Sequence, residues 1–134
     1  MSDKLHVIME KDIEELVNKL KQQAELFLLD AGEFYPFGTC LDKFDRIIPV
    51  GAYLEGEHPL SSDLIDLLEK DFRQGINSGN YKVAAIAIDI IIRKNNNKYN
   101  GIEVRFFETG KEVYKKYFKY IINESYVEFV DYLG

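Results

Sequence analysis

Few residues in this chain have the types and spacing that chemistry needs. There are two histidines, His6 near the N-terminus and His58 in a loop, and one cysteine, Cys40. The histidines share no ligand spacing of the His-Glu-x-x-His kind, so a zinc site from Cys40, His6 and His58 would need an accident of folding. A thiol nucleophile would pair Cys40 with His58, its one plausible base. Thr39-Cys40-Leu41 instead continues an apolar strand pattern, in which cysteine behaves as a small buried hydrophobe. The glycines are scattered at turns rather than gathered before a helix, so no phosphate cradle is written here. Neither is a Gly-x-Ser-x-Gly elbow. No cofactor is implied.

Among the carboxylates Asp89 stands apart, because it interrupts the apolar run Ala84 to Ile92. A charge there must be solvated or paired. Arg105 on the following strand is the expected partner; the alternative is a base of raised pKa, with Glu103 and Glu108 adding to an acidic patch. The most distinctive segment is aromatic, Phe34-Tyr35-Pro36-Phe37-Gly38. It reads as cover for the core where the first helix leaves the sheet, or as an exposed docking surface, since Tyr and Phe anchor many interfaces. Tyr114, Tyr117, Phe118 and Tyr120 pose the same choice. The candidate partner-binding residues are Tyr35, Phe37, Glu57, Tyr114 and Tyr117.

These side chains must be positioned by a small set of elements. Ile13, Leu16, Val17, Leu20, Ala24, Phe27 and Leu28 recur at helical spacing, and Gly32 suits a left-handed stop. Tyr35 to Leu41 and Arg46 to Tyr53 read as a hairpin around the turn Asp42 to Asp45. Each strand carries a proline, Pro36 or Pro49, which marks both against interior placement. Ser61 or Ser62 offers an N-cap for a second helix whose apolar stripe is Leu64, Leu68, Phe72 and Ile76. Val83 to Ile92, apolar on both faces, belongs at the centre of a sheet. Lys94 to Asn100 reads as a polar loop with a turn at Asn100-Gly101. Ile102 to Phe106 alternates as a half-buried strand. After a turn at Thr109-Gly110, one more strand shows Tyr114, Phe118 and Tyr120 on one face and Tyr117 on the other. Residues 124–134 fit a strand or a short helix. The fold class is therefore α+β, a single mainly antiparallel sheet with two principal helices in the order α-β-β-α-β-β-β. That order compares with profilin-like and dynein-light-chain-like sheets. At 134 residues, one domain is expected.

Charge narrows the partners. The net charge of −6 opposes sequence-independent nucleic-acid binding and favours a basic partner. One local exception, Lys111 to Lys119, is bracketed by Glu108, Glu112 and Glu124 and reads as a solvated strand face. A lone cysteine permits no internal disulfide, which fits a reducing compartment. No apolar stretch approaches the ~20 residues of a membrane span, so a soluble, cytoplasmic protein is expected.

Glu33-Phe34-Tyr35-Pro36-Phe37-Gly38, followed by a hairpin, a second helix, Val83 to Asp89 and the acidic pattern Ile102 to Glu108, resembles small, mostly uncharacterised bacterial proteins with an EFYPFG segment. The likeness spans roughly residues 10 to 122. Lys119-Tyr120 stands where that pattern leads one to expect Pro-Tyr. Small acidic proteins of this kind are similar to the immunity proteins of bacterial polymorphic-toxin systems, in size, charge and style. The resemblance implies a non-catalytic protein-binding module, an immunity-like inhibitor of a basic toxin. The alternatives are a small-ligand binder or enzyme with a pocket around Asp89, Cys40 and His58, and a homodimeric structural protein.

Overall fold

The computed structural model describes residues 10–52 and 59–133. Its elements run α1 (Glu10–Ala31), β1 (Phe37–Asp42), β2 (Ile47–Val50), α2 (Ser61–Ser78), β3 (Tyr81–Lys94), β4 (Asn97–Glu108), β5 (Tyr114–Ile122) and β6 (Val127–Tyr132). The α+β class and the expected order hold, with one strand more: the C-terminal stretch is β6, paired antiparallel along β5. The six strands form one sheet in the order β2-β1-β3-β4-β5-β6.

Strand parity divides the core in two. Phe37 and Leu41, then Val83, Ala85 and Ala87, then Ile102, Val104 and Phe106 face α1 through Leu16, Leu20, Ala24 and Leu28. Cys40, Ala84, Ile86, Ile88 and Phe107 face α2 through Leu68, Phe72 and Ile76. A helix on each face explains why β3 is buried without interruption from Val83 to Ile88, although doubly covered strands are commoner in parallel sheets. The alanines on β3 leave room for both helices.

The hairpin corrects an expectation. Of its two strands only β2 lies at an edge, with Pro49 in it; β1 lies between β2 and β3. Pro36 precedes the strand, so every β1 residue keeps its N–H for the ladder. Asp42 organises the turn: its Oδ1 accepts from Phe44 N and Arg46 N at 2.9 Å each, and its Oδ2 meets the Arg46 guanidinium at 2.8 Å. Burial works against the charged form. The hydrogen bonds from Arg46 and Phe44, with the Arg46 charge, outweigh it and hold the carboxyl below its ordinary value.

Helix α2 starts without a serine cap. Leu60, extended at φ −74° and ψ 137°, takes the cap position with no side-chain hydrogen bond, and its carbonyl accepts from Asp63 N and Leu64 N. Ser61 is already helical, one residue too late to cap. Gly79 closes the helix in the left-handed region at φ 80°.

The polar loop expected at Lys94 to Asn100 is a tight hairpin. Asn95 (φ 51°) and Asn96 (φ 66°) form the two-residue turn between the paired Lys94 and Asn97, as a type I′ turn requires. Asn100-Gly101 lies inside β4. There the Ile92 side chain covers Gly101, and a Cβ would also come within 3.0 Å of the Phe118 carbonyl oxygen. Because Asn pays some strain at positive φ that Gly does not, Asn96→Gly is expected to stabilise the protein by a few tenths to about 1 kcal/mol. A urea midpoint that falls instead would show that the Asn96 side chain is needed.

Candidate functional site: an acidic aromatic cup around Asp89

Asp89 lies on the α1 face of the sheet, since it follows Ala85 and Ala87 at alternate positions of β3. Arg105 pairs across from Ile86 and faces α2. The sheet itself therefore separates the two, and the expected Asp89–Arg105 pair does not form. Arg105 is held by Glu103 at 2.5 Å and by Glu69 of α2 at 3.0 Å. Glu103 is thus on the wrong face to join Asp89. Glu108, at the far end of β4, accepts from Tyr114 and meets Lys111 at 3.3 Å.

Two donors of another kind hold Asp89. Tyr120 donates its hydroxyl to Oδ1 at 2.8 Å, and the Phe34 backbone N–H donates to Oδ2 at 3.3 Å. Burial nevertheless dominates and raises the carboxyl above its ordinary value, the two hydrogen bonds opposing and Glu33 adding to the rise. Tyr120 is raised as well, by burial and by the carboxylate it faces.

The bond to Phe34 ties the aromatic segment to the sheet. α1 stops at Gly32 (φ 77°), whose N–H donates to the Leu28 carbonyl at 2.8 Å. The chain then crosses to β1, and Phe27, Phe34 and Phe37 gather with ring centroids 5.3 to 6.4 Å apart. The resulting cup has a cavity volume of about 590 Å³ and is lined by these rings with Tyr35, Asp30, Glu33 and Asp89. Three carboxylates and four aromatic rings face one space. Such a set suits a cation, because rings present negative faces and the carboxylates supply charge.

Of the candidate partner-binding residues, Tyr35 lines this cup and is 53% exposed. Phe37 lines it too but is only 6% exposed, packed under α1. It forms the floor and is no surface anchor. Tyr114 is stacked on Phe106 on the α1 face, while Tyr117 points to the α2 face and donates to Glu103 at 3.3 Å. These two therefore do not share one surface. Glu57, His6 and His58 lie outside the described residues. In the sequence Asp30 and Glu33 read as ordinary polar residues at a helix end. Only the crossing of β3 beneath that end makes them neighbours of Asp89.

Cys40 is 1% exposed beneath α2. Burial, with Asp42 and Asp71 nearby, pushes its thiol up to about 11, the reverse of what a nucleophile requires. It sits on the face opposite Asp89, so the two cannot share a pocket. Native protein at pH near 8 is expected to leave Cys40 unmodified by a thiol-reactive dye, with full labelling in denaturant; rapid native labelling would contradict this burial. Among the described residues no group of three or more His, Cys, Asp or Glu could hold a metal ion, and no helix is long and apolar enough to cross a membrane. No protein-family model matches the chain, and comparisons with curated proteins and with solved structures return no significant match.

Proposed function

We propose that the protein is a non-catalytic binding module that takes a cationic side chain of a basic partner protein into the cup around Asp89. The carrying observation is the convergence of Asp30, Glu33 and Asp89 with Phe27, Phe34, Phe37 and exposed Tyr35 around one cavity of about 590 Å³. A lysine or arginine entering there would meet ring faces and a half-buried carboxylate, the anchor-in-pocket arrangement of interface hot spots. The net charge of −6 would steer a basic protein towards it. An immunity-like inhibitor that masks a basic toxin is the concrete form of this reading, and a reducing, cytoplasmic setting goes with it.

The test is capture of a stoichiometric basic partner by wild-type protein, compared with Tyr35→Ala and Glu33→Gln. Both variants alter exposed positions and should fold normally by circular dichroism. Loss of about tenfold in affinity supports the cup as the docking site; unchanged capture by both moves the interface elsewhere. A cavity of this size also suits a small organic cation. Binding of simple amines or guanidines to the isolated protein would favour that second reading.

A further inference from the structure

The acidity of the chain is unevenly spread. Between residues 93 and 119 there are eight Lys and Arg against three Glu, in a chain whose net charge is −6. Those residues form the end of β3, all of β4 and most of β5, and strand parity turns Lys94, Arg105, Lys115 and Lys119 to the face that carries α2, and Arg93, Lys98 and Lys116 to the other. α2 packs on β1, β3 and β4. On the same face, the outer strands β5 and β6 leave Ile121 52% and Val130 42% exposed.

Register shows what else this bare face carries. Tyr117 stands opposite Tyr132, and Lys119 opposite Val130. Lys119 Nζ lies 4.2 Å from the centre of the Tyr99 ring and 5.7 Å from that of Tyr132, while Lys94 Nζ lies 5.9 Å from the latter. Lys115 is exposed beside Tyr117 with its Nζ 4.0 Å from Glu103, a carboxylate that Arg105 and Tyr117 also hold, and Glu128 stands on the same face opposite Ile121. A cleft of about 830 Å³ continues round the strand ends, where Lys21, Arg93, Lys115 and Lys116 line it together with the carboxylates Glu10, Glu14 and Asp131. On β5 Lys115 and Lys119 thus alternate with Tyr117, flanked by the half-exposed rings of Tyr99 on β4 and Tyr132 on β6, and among the described residues no helix packs over β5 and β6 on this face.

We infer that this open face of β4, β5 and β6 binds single-stranded nucleic acid, with Lys94, Lys115 and Lys119 at phosphates and Tyr99, Tyr117 and Tyr132 as stacking surfaces for bases. Every base has a ring face, so such a platform tolerates any sequence, and lysines spaced between rings match a backbone that alternates phosphate and base. An acidic peptide would satisfy the lysines but leave the rings unmatched. A duplex hides its base faces and could use the charge alone. The net charge of the chain opposes binding at long range. The local patch acts within a screening length, about 8 Å at physiological salt.

Fluorescence anisotropy with a labelled twelve-nucleotide oligo-uridine and oligo-thymidine tests this on the full chain. At about 50 mM salt both should bind, and affinity should fall roughly tenfold by about 200 mM. Lys115→Glu with Lys119→Glu should lower affinity by about tenfold or more, and Tyr99→Ala or Tyr132→Ala several-fold with the salt slope retained. Circular dichroism confirms folding of each variant, and the wild-type salt titration stands without them. No binding by either oligonucleotide overturns the inference. Equal affinity for a duplex, or displacement by a glutamate peptide of the same charge at the same concentration, overturns it too, the latter in favour of an acidic protein partner. Tyr35→Ala should leave oligonucleotide binding unchanged, so failure here and failure of the cup are separately visible.

Discussion

Replacing Phe72 with alanine is expected to remove about 3–5 kcal/mol of folding stability, out of the roughly 5–15 kcal/mol a domain possesses. Phe72 is fully buried on the α2 face, edge-on to Tyr81 at 6.0 Å and to Phe107 at 5.9 Å. No other described ring on that face could fill its space. It also explains a glycine. A Cβ built on Gly38 would overlap the end of the Phe72 ring, with Cε2 at 2.9 Å. Because the ring is pinned by its two aromatic neighbours, Gly38→Ala should cost about 1–3 kcal/mol by overpacking. Phe72→Leu, which shortens the side chain, should then make Gly38→Ala markedly less harmful. Urea unfolding of the four proteins in this double-mutant cycle measures the coupling. Strict additivity would show that the ring does not impose the glycine. The last residue of the aromatic segment thus answers to packing under α2, while the tyrosine three positions before it faces solvent.

Asp89→Asn is expected to separate binding from stability. A carboxylate that existed only to staple the Phe34 backbone would be missed, and its loss would destabilise the fold. The introduced carboxamide keeps an oxygen for the Phe34 N–H and an amide that can donate to Tyr120, so those contacts have replacements. It also removes a charge that burial disfavours. The Asp89 pKa is raised from the ordinary 3.8, so its contribution to stability is fully present below that value and is lost as pH rises through the raised value. Relative to the variant, wild-type protein should therefore lose stability over that window and stay at the lower level above it. At neutral pH the variant is expected to unfold at the same or higher urea concentration, with partner affinity reduced about tenfold or more. A clearly lower midpoint at neutral pH, or undiminished binding, would return Asp89 to a structural role.

Local pattern determined much of this protein. The 3.6-residue period of Leu16, Leu20, Ala24 and Leu28, and of Leu64, Leu68, Phe72 and Ile76, specified two helices and their buried stripes, because a helix can bury only the residues that recur on one side. The uninterrupted apolar run of β3 specified a central strand, because only a doubly covered position tolerates it. Alternation also put Tyr117 on the face opposite Tyr114, Phe118 and Tyr120. Local pattern was silent on strand neighbours. The position of β1 inside the sheet, the turn at Asn95-Asn96 in place of Asn100-Gly101, and the strand character of Val127 to Tyr132 depend on which edge each segment meets. That is a pairing of residues distant in sequence. Parity across such pairings sent Arg105 to one face and Asp89 to the other, and gave Asp89 a tyrosine from β5 and a backbone N–H from the segment between α1 and β1. The cup and the basic tyrosine face are both products of that register. Each assembles residues from three or more elements, which no spacing along one strand or helix could bring together.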